Sequence, residues 1–181
     1  MSRKYKFYNQ EGLYFVSFAV VYWIDVFIRD EYFNLVLESM DFCRKNKGME
    51  IYAWCIMPSH LHLVFRAKEN NPGVLLKEFK TFTSKQVQKA IAGNSLESRK
   101  EWMLWMMERA GAKNSNVKYR QFWQQHNHPI ELWSPEVTDQ KIDYTHQNPV
   151  VAGFVLEPHH WKYSSAIDYS GGKGLLDIDL V

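Results

Sequence analysis

The sequence predicts an α+β protein: a ferredoxin-like sandwich whose antiparallel sheet carries helices on one face, followed by a C-terminal helix and a tail. The first observation is the order of elements, because strand, helix, strand, strand, helix, strand is the split β-α-β arrangement. The second is periodicity, since the predicted strands are rich in β-branched and aromatic residues and the helices space apolar residues by three or four. The third is length: residues 1–181 suit a single domain, with a tail at 156–181.

The first half of the chain contains three of the predicted strands. Residues 13–21 form a β-branched and aromatic run that is typical of a central strand. Asp30 can cap the helix that follows, and Gly48 can end it. Residues 51–57 and 60–66 are then predicted to pair as antiparallel strands, because only a short Pro-Ser turn separates them.

The second half is predicted to be mainly helical. Residues 74–91 form an amphipathic helix, and a second helix covers 99–109. Residues 119–125 alternate well enough to predict the fourth strand. A short helix should begin near Thr138 and end before Pro149, because the residue before a proline disfavours helical backbone.

Composition limits the classes of function that fit. The net charge is only +2, so a nucleic-acid binder would have to cluster its cations locally. Cys43 and Cys55 lie far apart without a C-x-x-C pattern, which indicates reduced thiols in a cytosolic protein. No apolar run reaches membrane length, so we expect a cytoplasmic protein that does not bind membranes.

A His-Leu-His run is the first candidate for chemistry. His60 and His62 lie two apart on a predicted strand, so both side chains point to one face while Leu61 and Leu63 point to the other. Two neighbouring imidazoles could hold a metal ion. The plainer alternative is a pair of sheet histidines that only form hydrogen bonds.

The short C-terminal helix could complete such a site. Tyr144 and Asn148 are four apart and share a helix face, with Gln147 as a competing amide and His146 expected on the helix surface. Two imidazoles and an amide oxygen suit Mg²⁺ or Mn²⁺ with open coordination positions. From spacing alone, Tyr144 could equally be a core aromatic residue.

Three motifs together resemble one family. The run WCIMPSHLHLV at 54–64 resembles the histidine signature of the REP-associated tyrosine transposases. These are single-tyrosine relatives of insertion-sequence transposases within the HUH (His-hydrophobic-His) endonucleases. The run YTHQNPVVAGFV at 144–155 is similar to the family's nucleophile segment, and WKYSSA at 161–166 to the run that follows it. Ser59 stands where the family more often has Asn.

The resemblance implies a metal-dependent endonuclease and strand transferase acting on single-stranded DNA. It implies that His60, His62 and Asn148 bind Mg²⁺ or Mn²⁺ and that Tyr144 is the nucleophile, within a catalytic core at about 13–155. Cleavage of hairpin-associated DNA would pass through a 5′-phosphotyrosine intermediate. Two alternatives remain: an inactive homologue that only binds hairpin DNA, and a metal-dependent phosphoesterase that uses activated water and needs extra acidic ligands.

The resemblance also implies the partners. They are single-stranded or hairpin DNA from palindromic repeat elements, bound by a monomer or homodimer in the cytoplasm in association with the nucleoid. We expect DNA to be held by clustered cations and aromatic residues. The candidate cations are Arg3, Lys4, Lys6, Lys77, Lys80, Lys85 and Arg120.

Overall fold

The computed structural model describes residues 6–69 and 71–180. Within them, one antiparallel sheet is built from four strands in the order β2-β3-β1-β4. The strands are β1 Tyr14–Ala19, β2 Met49–Ile56, β3 His60–Ala67 and β4 Ile130–Glu131. The helices are α1 Asp30–Asn46, α2 Pro72–Gly93, α3 Lys100–Ala112, α4 Pro135–Val151 and α5 Ala166–Tyr169. The predicted α+β sandwich with an antiparallel sheet is confirmed.

One face of the sheet carries the main hydrophobic core. Leu61, Leu63 and Phe65 of β3 point into it, and Val16 and Phe18 of β1 join them. Helices α1 and α2 pack against each other over this face, and α3 packs against α2. The buried stripe of α1 repeats every three to four residues, as expected for an amphipathic helix: Tyr32, Phe33, Val36, Leu37, Met40 and Cys43.

Helix α4 covers the opposite face through a smaller cluster. Ile142 of α4 packs with Phe15, Tyr52 and Val64 of the sheet, and Leu132 joins them after β4. The alternation of side chains along β3 explains the division, because Val64 shares its face with the two histidines. Helix α4 therefore lies over the histidines, while α1 and α2 occupy the other side of the sheet.

The predicted fourth strand at 119–125 is wrong. Phe122 and Trp123 are consecutive and both enter the main core, so the segment packs against the core instead of alternating between two faces. Its start is attached to α3, where Gly111 allows the backbone of Tyr119 to approach closely. The fourth strand is the two-residue β4, which pairs with the beginning of β1.

Helix α4 extends beyond both predicted ends. Ser134 caps its beginning by accepting a hydrogen bond from the Val137 amide at 3.4 Å, and a proline fills the first helical position. Pro149 lies inside the last turn and does not end the helix. Gly153 ends it with a φ of 78°, and the Phe154 amide donates back to the Pro149 carbonyl at 2.9 Å.

The tail runs back along the outer edge of β2. The Ile56 amide donates to the Tyr163 carbonyl at 2.9 Å, and the Ser165 amide donates to the Trp54 carbonyl at 3.0 Å. Tyr163 enters the main core, so this segment is packed on the same body as the sheet. The tail thereby occupies hydrogen-bonding groups of an edge strand that would otherwise be open. Among the described helices, none is both long and apolar enough to cross a bilayer.

Candidate active site

The two histidines of β3 lie side by side on the face that α4 covers. Their ring centroids are 4.8 Å apart, with the rings edge to face. His62 pairs across the sheet with Cys55 on one side and Ser17 on the other, which places it in the middle of the sheet. This rigid position fixes the direction of both imidazoles.

Helix α4 brings Tyr144 and Asn148 to these histidines. Asn148 Oδ1 lies 3.3 Å from Nε2 of His60. The Tyr144 ring lies 5.3 Å from the His62 ring, centroid to centroid, and also contacts the ring of Phe15 at 5.7 Å. Two pairs of side chains that are far apart in sequence therefore meet at one place, as their assignment to one site requires.

His62 is buried without a hydrogen-bond partner. Its exposed fraction is 3%, and neither ring nitrogen has a hydrogen bond of normal geometry within residues 6–69 and 71–180, although the Asn148 amide lies close enough to oppose the lowering of its pKa. Burial, reinforced by the neighbouring His60 imidazole, lowers the pKa of His62 to about 3. The ring is therefore neutral at neutral pH and keeps a lone pair available. A buried polar group without a partner is costly, and a bound cation would remove that cost.

The neighbours of His60 hold its ring in place. Ser59 Oγ lies 3.2 Å from Nδ1, while Nε2 faces Asn148. Burial lowers the pKa of His60 as well, so this imidazole is also neutral at neutral pH. The serine at position 59 thus provides a polar contact on the ring nitrogen that faces away from Asn148, and such contacts commonly orient histidines that bind metals.

The donor set fits a divalent cation. Two neutral imidazoles and the amide oxygen of Asn148 converge, and the unbonded nitrogens of His62 lie among them. Within the part of the chain that is described, no three His, Cys, Asp or Glu side chains group closely enough to hold a metal. A third protein ligand beside the histidines would thus be an amide oxygen, which suits Mg²⁺ or Mn²⁺.

Two residues at the site were not predicted from the sequence. Lys141 lies three residues before Tyr144 on α4, and its ammonium is 5.4 Å from the Tyr144 ring centroid and 5.3 Å from that of Phe15. The i, i+3 spacing on the helix could have identified it. Trp23 contacts His60 with ring centroids 5.3 Å apart, but nothing in its local sequence indicates this.

His146 is buried, which corrects the expectation that it lies on the helix surface. Its Nε2 is 2.8 Å from Ser165 Oγ in the tail, and burial lowers its pKa to about 4. Ser165 Oγ also accepts a hydrogen bond from the Trp54 amide at 2.9 Å. These contacts connect α4, the tail and β2 directly behind the site.

The cations predicted to contact DNA do not form one cluster among the described residues. Arg3 and Lys4 lie outside the described residues, and Lys6 is exposed near the start of the described chain. Lys77 and Lys85 are exposed on α2, on the opposite side of the sheet from the histidines. The structure therefore does not bring Lys77 or Lys85 to the site.

Lys80 and Arg120 have partners within the protein. The Lys80 ammonium donates to the Gln124 carbonyl at 3.0 Å and to the Asn127 side chain, and it lies 5.0 Å from the Phe18 ring centroid. Burial lowers the pKa of Lys80 to about 7. Arg120 forms an ion pair with Glu108 at 2.6 Å. A role for either residue in binding DNA remains a prediction.

Comparison with known families identifies the class of protein to which this α+β fold, with paired histidines on a central strand, belongs. The chain belongs to the IS200-like transposases: the family model, Y1_Tnp, "Transposase IS200 like", matches residues 16–107. The matched region contains both histidines and ends before α4. Membership therefore does not depend on Tyr144 or Asn148.

Two individual proteins extend the similarity over nearly the whole chain. A Haemophilus influenzae protein named "Putative REP-associated tyrosine transposase" is 26% identical over 167 residues, covering 91% of this chain and 85% of the relative. A solved structure of a REP-associated tyrosine transposase bound to a REP hairpin matches with a TM-score of 0.66 at 16% identity. It covers 100% of this chain and 94% of the other, and at that identity it shows a shared fold. The predicted resemblance is confirmed.

Proposed function

We propose that this transposase cuts and rejoins single-stranded DNA beside hairpins, with Tyr144 as the nucleophile and a divalent ion as cofactor. The observation that carries the proposal is the meeting of Tyr144 and Asn148 with His60 and the unpaired His62. A buried imidazole pair, an amide oxygen and a half-exposed phenol supply the ligand set and nucleophile that the chemistry needs.

The covalent step transfers a phosphodiester to the enzyme. The phenol oxygen of Tyr144 forms a bond to phosphorus, and the bond from phosphorus to the 3′ oxygen breaks. The phenol loses its proton, and the departing oxygen gains one to become a free 3′-OH. The product is a 5′-phosphotyrosine that retains the phosphodiester, so a 3′-OH can attack it and join strands without another energy source.

The chain's own residues prepare both sides of this step. The ammonium of Lys141 lies beside the Tyr144 ring and would stabilise the negative charge that develops as the phenol is deprotonated. His60, His62 and Asn148 would hold Mg²⁺ or Mn²⁺, which would polarise the scissile phosphate as a Lewis acid. Half-exposure leaves the phenol accessible to a strand that approaches from solvent.

The substrate proposal follows the comparison with the solved relative. That protein is bound to a REP hairpin. We infer that this chain likewise acts at hairpins formed by palindromic repeats, as a monomer or homodimer. It would act where its DNA lies, in the cytoplasm and in association with the nucleoid.

The two alternative functions receive less support from the site. An inactive homologue would be expected to lack one of the four residues, and all four are present. A phosphoesterase that activates water would be expected to add an acidic ligand to the histidines, and the described residues form no such group.

The test is a labelled-oligonucleotide assay with Mn²⁺. A hairpin with unpaired arms is labelled at either its 5′ or its 3′ end. Wild type should carry the 3′-labelled strand as a protein adduct stable to denaturant and release the 5′-labelled strand shortened, and EDTA should prevent both results. Tyr144→Phe should form no adduct, while Tyr119→Phe, a change at another exposed tyrosine, should leave the reaction unchanged.

The outcomes separate the candidate functions. Binding without any cleavage by wild type would support the inactive homologue. Cleavage by Tyr144→Phe without an adduct would support activated water. Metal-dependent cleavage that survives in His60→Ala would exclude the proposed ligand set.

A further inference from the structure

We propose that Trp23 is a stacking platform for an unpaired nucleobase next to the phosphate that Tyr144 attacks. The aromatic turn, Val21–Trp23, follows β1 directly and places the Trp23 ring beside His60. The inference rests on the proposed function, because it identifies how the same site would hold the DNA strand.

The backbone of the aromatic turn is held in an unfavourable conformation. Tyr22 and Trp23 have φ angles of 55° and 56°, two consecutive left-handed residues that are not glycine. Val21 and Ile24 are buried on either side, and the Val21 amide donates to the Phe122 carbonyl at 2.8 Å. The core thus fixes both ends of the turn while its two aromatic rings remain partly exposed.

Burial in the core does not explain why this turn has two large aromatic side chains. The exposed fraction is 43% for Tyr22 and 58% for Trp23. Large aromatic residues usually stabilise a protein by leaving water, and these two keep about half of their surface exposed. A flat apolar surface exposed in this way is suited to a ligand that is itself flat and apolar on its faces.

The position of Trp23 identifies that ligand. Its ring meets the His60 ring at 5.3 Å and 71° between planes, because Ala19 at the end of β1 pairs with His60. A phosphate bound at the histidine pair would therefore have its own or the adjoining base within reach of the indole. Every base presents a π face, so stacking holds a strand without requiring a particular sequence.

A cation next to the aromatic turn favours DNA over an apolar protein partner. The Lys113 ammonium lies 5.9 Å from the Tyr22 ring centroid, where it can contact the backbone of a strand that leaves the indole. Lys113 also lines a polar pocket of about 330 Å³ with Asn114, Gln121 and Gln124. Aromatic rings alternating with cations and amides are typical of surfaces that bind single strands.

The experiment uses a fluorescent base as a local probe. 2-Aminopurine is placed at each position of the unpaired arm in turn, and the oligonucleotide is bound to Tyr144→Phe so that the strand stays intact. Emission should be quenched at one position or two adjacent positions. Adding Trp23→Ala should restore that emission and weaken binding by roughly 5- to 150-fold, the range found for base–aromatic stacking.

Matched variants separate stacking from structure. Trp23→Phe keeps a ring and should retain most of the quenching. Trp23→Gly removes the ring and suits the left-handed backbone, so it should melt at or above the temperature of wild type and still lose the quenching. Trp133→Ala removes an exposed indole beyond β4, at the other end of β1, and should change nothing.

The results bear separately on the platform and on the nuclease. Quenching that persists in both Trp23→Ala and Trp23→Gly overturns the platform, whether or not wild type forms an adduct. Quenching that depends on Trp23, in a wild type that forms no adduct, supports the platform while the nuclease proposal fails. A loss of self-association in Trp23→Ala with quenching unchanged would instead assign the indole to a second copy of the chain and overturn the inference.

Discussion

At the scale of the residue, His62 occupies a position that costs the protein stability unless a ligand binds there. An imidazole in the middle of a sheet, with both nitrogens unbonded in the described structure, has lost its hydration without replacement. A leucine in its place would pack on the same face without that cost. The presence of a histidine at this position is explained if a bound cation removes the cost.

The first prediction exchanges that histidine. His62→Leu should stabilise the protein in EDTA by about 1 kcal/mol, because it removes a buried polar group that lacks a partner. The same variant should form no covalent adduct. Chemical denaturation with and without Mn²⁺ measures both effects, and Mn²⁺ should raise the midpoint of wild type only. A loss of 2 kcal/mol or more in EDTA, on the order of a lost core contact, would contradict this reading.

The second prediction concerns the cation beside the nucleophile. Lys141→Met should slow adduct formation on the order of 10-fold, equivalent to about 1.4 kcal/mol, because the charge that stabilises the developing phenolate is gone. Lys141→Arg should keep most of the rate. Single-turnover kinetics with Mn²⁺ give the measurement, and Lys89→Met on the exposed side of α2 is the control. Equal rates for Lys141→Met and wild type would leave the lysine without a role in the step.

At the scale of elements, helix α4 carries the proposed nucleophile and one proposed metal ligand, yet its own hydrophobic contact is small. Ile142 packs on a cluster of only a few sheet residues, whereas α1 and α2 share the large core. The additional hold comes from His146 and the tail. The positions of Tyr144 and Asn148 relative to the histidines therefore depend on a polar contact outside the main core.

The third prediction removes that contact. Ser165→Ala should lower the free energy of unfolding by about 1–3 kcal/mol, because it leaves the buried His146 nitrogen without its partner. Adduct formation should fall as well, since α4 would be less firmly placed. Thermal melting compared with Ser115→Ala, at an exposed loop serine, separates this from a general effect of losing a hydroxyl. Unchanged melting would mean that the helix is held in place by other contacts.

The elements also show where sequence patterns succeed. Strands β1 to β3 and helices α1 to α3 follow the periodicities of their apolar residues, because burial on one side imposes that spacing. Strand β4 has only two residues, too few to show a period. Phe122 and Trp123 are apolar because they pack in the main core and not because they belong to a strand. The prediction that the helix ends before Pro149 is wrong, because this proline removes only one amide donor and the Ala152 and Phe154 amides still close the last turn.

The site was predictable in halves. Alternation placed His60 with His62, and helical spacing placed Tyr144 with Asn148. The two pairs meet because α4 crosses the sheet. No local sequence pattern indicates that crossing, so only the family resemblance assigned the two pairs to one site. Trp23 and the His146–Ser165 contact were missed for the same reason, because their partners are distant in sequence.

At the scale of the molecule, Glu97 connects the beginnings of helices α1 and α3 through ion pairs. Its carboxylate accepts from Arg29, just before α1, and from Arg99, just before α3. These hydrogen bonds, led by the one from Arg99, lower the pKa of Glu97 to about 2, below its ordinary 4.5. A carboxyl whose pKa is depressed on folding stabilises the protein above the ordinary value and loses that contribution as the pH falls toward the depressed one.

The fourth prediction is the corresponding pH dependence. Glu97→Gln should lower the free energy of unfolding by about 2 kcal/mol at pH 7, and the difference from wild type should shrink between pH 4.5 and 2. Urea denaturation across that range gives the measurement. Glu101→Gln, at an exposed position on α3, should show no such dependence. A constant difference from pH 7 to pH 2.5 would exclude the linkage.

The path of the tail along β2 has a consequence for the order in which the protein matures. A nascent chain that has emerged as far as Phe154 already contains both histidines, Tyr144 and Asn148. It still lacks the residues that bond to β2 and to His146. Helix α4 is therefore not yet held against the sheet by the tail, and the outer amides of β2 are open to another strand. Competence to cut DNA should therefore arise late in synthesis, after Ser165 has left the ribosome. Chains interrupted earlier should be inactive and prone to aggregate.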